Sequence, residues 1–349
     1  MRVSLKLLSA AGLGAALLSP AYVCPAMAAD VAGFYKGREL DVVIGSTPGG
    51  GFDTYGRFLA RHMYRHIPGT PTMVPKNMPG AGGLKEMTYL MSAAPKDGSV
   101  IGIINPVMTT APLLTPEVAK FDPLTFEWLG SANAEISTCG FWSKSGVTSV
   151  TDLSKRELII GGVGPSSGST LDAITLKNVL GLPFKIVAGY SGLSEVALAG
   201  QRGEVDGACG LNVTTLKSAH WDAIQRGELK IVLQTSLRNH PELPGVANVF
   251  SLAKTEEQKQ IMQLTFGPWI YGRSFVAPPG TDKERVAALR EAFVKTMKDP
   301  LFLAEADKAR LEVNPATPDE IAKLIKEIYD TPRDVIEKTR AMLNIADKI

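Results

Sequence analysis

Three short stretches concentrate the residue types that could do chemistry. They are "GSTPGGGFDTYG" (Gly45–Gly56), "NMPGAGG" (Asn77–Gly83) and "GPSSGST" (Gly164–Thr170). Each lies between an apolar run and a helix-like one. Glycine lets a ligand approach bare backbone. A helix start adds free N–H groups and a positive dipole end, which together favour anions. The same residues also serve as tight strand-to-helix turns. Matching loops in both halves favour a cleft that closes on an acidic ligand.

Known motifs can be tested against these loops. A phosphate loop starting at Gly45 needs Lys at 51 and Ser or Thr at 52, where the chain has Gly51 and Phe52. Gly80 and Gly82 begin a dinucleotide fingerprint, but Lys85 stands at its third glycine. Gly164-Pro165-Ser166-Ser167-Gly168 does match Gly-x-Ser-x-Gly, with Asp206 and then His220 or His240 downstream in hydrolase order. A serine hydrolase is therefore the alternative reading. Against it, no lipase-type oxyanion loop is evident, and the equivalent first loop has no serine nucleophile. His62 and His66 are four apart on a helix but lack a His-Glu-x-x-His pattern, so they read as helix-boundary histidines. No catalytic residue, metal or cofactor is expected. Arg57, Arg61 and Arg65 form a stripe that reads as a solvated face, with partner docking as the lesser reading.

The elements that must position these loops alternate. "LDVVIGS" (Leu40–Ser46) reads as a buried strand, and Thr54–His66 as a helix with apolar Tyr55, Phe58, Leu59 and Met63, N-capped by Asp53. "TMVPKN", "GLKEMTYLMSAA" and "SVIGIIN" continue as strand, helix and strand. The plan restarts at "ELIIGGVGPSSGSTLDAITLKNVL" (Glu157–Leu180). Alternation of this kind implies parallel α/β sheets. The C-terminal part reads as helices, with capping boxes at Thr281/Glu284 and Thr317/Glu320 and a shorter helix in Asp299–Asn314.

The chain has 349 residues, which suggests two domains. Its composition, 45% apolar and 21% charged, is that of an ordinary globular protein. Basic Arg2 and Lys6, the apolar run Leu7–Leu18 and Ala26-Met27-Ala28 form a secretory signal peptide, residues 1–28, cleaved after Ala28. Cys24 follows Val23 rather than a small residue, which argues against a lipoprotein site. The remainder carries 35 basic and 35 acidic residues, so no nucleic-acid partner is expected. Cys139 and Cys209 are open to either reading, a disulfide or two buried thiols.

The matched segments, in order, resemble the periplasmic solute-binding proteins of tripartite tricarboxylate transporters, the Bug family. Pro48-Gly49-Gly50-Gly51-Phe52-Asp53 with Arg57 resembles the family's Pro-Gly-Gly-Gly-Thr-Asp loop and early Arg. Asn77–Gly83 resembles its Asn-Arg-Pro-Gly-Ala-Gly-Gly. "APKDGSVIG", "GYSGLSEVALAGQRGEVDGA", "SLRNHPELPGV" and "APPGTDKERV" match further family segments.

The resemblance implies an α/β, type II periplasmic-binding-protein fold: two α/β lobes with mainly parallel sheets around a ligand cleft. By position, lobe 1 is residues 29–130 with 270–349 returning to it, and lobe 2 is 131–269, with the second crossover between about Lys230 and Ala277. It implies a periplasmic monomer that captures a small carboxylate and hands it to integral membrane permease subunits; a sensor without transport would read the same. Carried over by position, the first-lobe contacts are Thr47, Gly49, Gly51, Phe52, Asp53, Asn77, Ala81 and Asn105. The second-lobe contacts are Ser167, Ser169, Thr170, Tyr190 and Asp206. Asp53 is equally a helix cap, and Asp206 equally a hinge brace. Phe52 and Met78 replace the family's Thr and Arg, making the rim more apolar and suggesting an aromatic or aliphatic carboxylate rather than citrate.

Overall fold

The structure, a computed structural model, describes residues 25–164 and 167–343. All but the last four residues of the expected signal peptide fall outside that range, as does Ser166. Helix α1 (Pro25–Tyr35) opens the first unit. Strand β1 (Glu39–Ile44), helix α2 (Gly51–Met63), β2 (Thr72–Asn77), α3 (Leu84–Ser92), β3 (Val100–Ile103), the short α4 (Ala111–Leu114) and β4 (Glu127–Ser131) follow. The second unit runs β5 (Ser137–Trp142), β6 (Leu158–Gly162), α5 (Gly168–Leu180), β7 (Phe184–Ala188), α6 (Leu193–Arg202), β8 (Gly207–Asn212), short α7 (Val213–Thr215) and α8 (Trp221–Gln225), β9 (Leu229–Gln234), β10 (Ala247–Asn248) and α9 (Glu256–Phe266). Strand β11 (Ser274–Ala277) then leads to α10 (Lys283–Lys298), α11 (Pro300–Lys308), α12 (Pro318–Tyr329) and α13 (Arg333–Leu343).

The first sheet has the order β2-β1-β3-β11-β4. Strand β1 is parallel to β2 and β3, while β11 is antiparallel to β3 and β4. The second sheet has the order β10-β9-β5-β8-β6-β7, with β5 antiparallel to both neighbours and the other pairs parallel. Both sheets are therefore mixed, because the strands that arrive by crossover run against the βαβ units. The central strands β3 and β5 are buried on both faces, as in helix-covered sheets. Val42 and Ile44 face α2 through Tyr55, Phe58 and Leu59. Gly56 permits that packing, since a Cβ there would meet Ile44 Cδ1 at 2.9 Å. Cys139 and Cys209 form a disulfide between the adjacent strands β5 and β8.

The chain crosses between sheets after β4 and again between α9 and β11. Helices α10 and α12 return to the first unit, on β4. Helix α13, within the expected return segment 270–349, packs on both units: Arg340 Nε donates to Leu113 O of the first. Val335 joins the second unit's core, Asn178 donates to Met342 O, and Lys338 pairs with Glu257. Its apolar face meets α5 and α9 of the second unit, and Leu343 clusters with Leu114 of α4 in the first. Among the described residues, no helix is long and apolar enough to cross a membrane.

Two capping expectations change. The N-cap of α2 is Gly50; Asp53 sits inside the helix and reaches back to accept from Gly49 N–H at 2.8 Å. At α10, Asp282 rather than Thr281 is the cap, accepting from Arg285 N–H, while Thr281 Oγ1 donates to Pro278 O. The Thr317/Glu320 box forms as expected.

Candidate functional site

A cavity of about 500 Å³ lies between the two sheets, at the carboxyl ends of β1, β3, β6, β7 and β8. This is where open α/β sheets place ligands. From the first unit, the β1–α2 loop contributes Thr47, Gly49, Gly51 and Phe52, the β2–α3 loop contributes Ala81, and Asn105 follows β3. From the second unit come Ser167, Ser169 and Tyr190.

The loops are held from behind. Asp53 Oδ1 accepts from Arg57 Nε at 2.9 Å and from Asn77 Nδ2 at 2.8 Å, and Asn77 Nδ2 also donates to Ser46 O. Burial alone would raise the Asp53 pKa, but hydrogen bonds from Arg57, Gly49 and Asn77 outweigh it and hold the carboxyl ionised. Asp53 and Asn77 thus brace the β1–α2 loop and do not line the cavity. In the second loop, Gly80, Ala81, Gly82 and Gly83 all have positive φ, and Ala81 at 44° is in a region that side chains rarely adopt. Asn105 pins that turn, donating from Nδ2 to Gly82 O at 2.9 Å.

The second unit uses hydroxyls for the same work. Ser167 Oγ donates to Gly164 O at 2.8 Å, and Ser169 Oγ accepts from Val163 N–H at 3.1 Å. Thr170 is buried beneath this loop, against Gly162, and does not line the cavity. Asp206 is also misplaced by the sequence reading. It precedes β8 and so lies at the strand's amino end, away from the cleft. There it accepts from Arg156 Nη2 at 2.8 Å and from Ile159 N–H at 2.7 Å, which ties β8 to β6 rather than bracing a hinge.

The crossovers supply residues that sequence reasoning passed over. Arg273, just before β11, lines the cavity floor yet is 1% exposed. Its Nε lies 2.7 Å from Glu135 Oε1, on the other crossover, and its Nη2 donates to Thr214 Oγ1 at 3.1 Å. Its guanidinium also stacks 4.6 Å from the Phe52 ring centroid. Gly51 makes room, since a Cβ there would meet Arg273 Nη2 at 2.8 Å. Trp269 lines the floor beside Gly168. A lone Arg within the apolar run Trp269–Ala277 was the available signal.

His220 lines the cavity, and burial pushes its pKa down, towards the neutral imidazole. His240 lies elsewhere, with Nε2 2.9 Å from Glu312 Oε1, which also takes Lys217 Nζ at 2.9 Å. This cluster joins the two units. The arginine stripe is ion-paired rather than simply solvated: Arg61 meets Glu305, and Arg65 meets Asp299. His62 and His66 contact those same carboxylates. Among the described residues, no group of three or more candidate ligands could hold a metal.

Comparison with known proteins agrees with this arrangement. Residues 57–341 match the family model described as tripartite tricarboxylate transporter family receptor. The chain is 25% identical to the UPF0065 protein in the gbd 5′ region of Cupriavidus necator, over 86% of this chain and 87% of that one. Among solved structures, periplasmic binding protein BugD is 23% identical with TM-score 0.68, covering 87% of this chain and 98% of that one. MatC from Rhodopseudomonas palustris with bound malate is 18% identical with TM-score 0.65, covering 88% and 99%. An R. palustris protein with adipate is 19% identical with TM-score 0.68, covering 88% and 97%. At these identities the structural likeness shows the fold, that of the periplasmic binding proteins.

Proposed function

Because the chain belongs to the tripartite tricarboxylate transporter receptor family, a family of solute-binding proteins and not enzymes, we propose that it captures a small carboxylate between its two units and delivers it to the family's membrane permease subunits. The observation that carries this reading is the pairing of braced, backbone-baring loops across one cavity: Gly49–Phe52 on one side, Ser167–Ser169 on the other. The family's location and the N-terminal sequence support a periplasmic site of action after removal of residues 1–28. Working as a monomer, with residues 29–130 and 131–269 as the main bodies of the moving lobes, it would open and close about its crossovers.

A thermal-shift screen of mono-, di- and tricarboxylates tests this. A saturable rise in Tm with the acid recovered unchanged is expected, following the linkage of binding to stability. Turnover of the acid, or no shift with any carboxylate, would overturn it.

A further inference from the structure

We infer that the cleft selects a monoanion: one carboxylate on an apolar body, rather than a di- or tricarboxylate. The inference rests on the carboxylate-capture reading above and narrows its ligand class. Among the described residues lining the cavity, Arg273 is the one with a fixed charge, and Glu135 neutralises it at 2.7 Å. Burial keeps His220 from adding a second cation.

Positive potential must therefore come from helix starts, each worth roughly half a charge. Three helices of eight residues or more, α2, α5 and α6, present their N-cap residues Gly50, Ser167 and Gly192 to the cavity. Two already carry a carboxylate of their own chain. At α6, Glu195 accepts from both Ser191 N–H and Ser191 Oγ at 2.7 Å, and it has no ion pair among the described residues. At α2, Asp53 accepts from Gly49 N–H, its charge balanced by Arg57. Only α5 has no acid in its first turn. These three starts thus supply less than one net positive charge, enough for a single carboxylate and far short of three. The other lining side chains are uncharged, hydroxyls and amides beside an apolar set of Phe52, Leu193, Trp269 and Leu311.

The test is calorimetric titration of the full mature chain with phenylacetate, hexanoate, adipate and citrate at one ionic strength. Phenylacetate or hexanoate is expected to bind about tenfold or more tighter than adipate and citrate. Phe52→Thr should weaken phenylacetate about fivefold and adipate by less. Glu195→Gln, which keeps an acceptor for Ser191, should tighten adipate about threefold and leave phenylacetate nearly unchanged. Adipate or citrate binding as tightly as the monoanions overturns the inference while leaving carboxylate capture standing. Equal losses for both ligands in Phe52→Thr, or no gain for adipate in Glu195→Gln, also overturn it. Binding of none of the four overturns both readings.

Discussion

Arg273 and Glu135 form an ion pair at 2.7 Å, each 1% exposed, at the point where the two crossovers pass under the cleft. Neither residue belongs to a sheet, so the pair joins the segments about which the units would swing. Its guanidinium also contacts Phe52 and Thr214, so the crossovers and the cavity share one group.

Removing one member leaves a buried charge uncompensated. Glu135→Gln or Arg273→Met should each cost about 3–5 kcal/mol, whereas the double variant Glu135→Leu/Arg273→Met should cost markedly less. Urea denaturation of the three variants measures this. Additive losses would contradict the pairing.

The Cys139–Cys209 disulfide closes a loop with a sequence separation of 70. Chain-entropy reasoning gives it about 4 kcal/mol. The double variant to Ser should show a correspondingly lower urea midpoint, and the wild type should fall to the same value on reduction. A midpoint insensitive to reductant would contradict it.

Two buried carboxyls set a pH dependence. Burial pushes Asp172 up from 3.8 to about 7, against hydrogen bonds from Ser137 and Thr235. Trp269 Nε1 lies towards the same carboxyl without closing a hydrogen bond of standard geometry. Glu86, beneath Gly45 and Gly102, is pushed well above its ordinary value by burial. A raised folded pKa contributes stability that is full below the unfolded value and is lost as pH rises through the folded one. Stability should therefore fall as pH rises from about 4 towards 7, by up to about 1.4 kcal/mol per pH unit for each titrating proton. Asp172→Asn and Glu86→Gln together should flatten that limb in denaturation series across this range; an unchanged slope would contradict it.

Glu312 acts in the opposite sense. Burial opposes its ionisation, but His240 and Lys217 prevail and lower its pKa. That contribution is present above the ordinary glutamate range and is lost as pH falls through the lowered value. Glu312→Gln should cost about 1–2 kcal/mol near neutral pH and less in acid. Because Lys217 and Glu312 sit on opposite units, small-angle scattering should show the variant more open. Unchanged dimensions would argue against a latch.

The strand–glycine loop–helix modules were legible because local pattern decides them: β-branched runs, positive-φ glycines and apolar periodicity. Thr47, Gly49, Gly51, Phe52, Ala81, Asn105, Ser167, Ser169 and Tyr190 all came to the cavity. What sequence could not show was decided by distant partners. Asp53 and Asn77 face Arg57 behind the loop. Asp206 lies at the wrong end of β8 because a residue before a strand sits opposite the strand's carboxyl end. Arg273 gains its place from Glu135, 138 residues earlier by their numbers. Asp282 displaced Thr281 as cap because the adjacent carboxylate meets the same free N–H groups.

Both glycine-serine loops are proposed to hold one ligand. Amide hydrogen exchange with and without a saturating carboxylate tests it most directly. Increased protection is expected at Gly49–Asp53 and at Ser167–Thr170 together, with the Asp206 strand end unchanged. Protection confined to one loop, or appearing only outside the cleft, would contradict it.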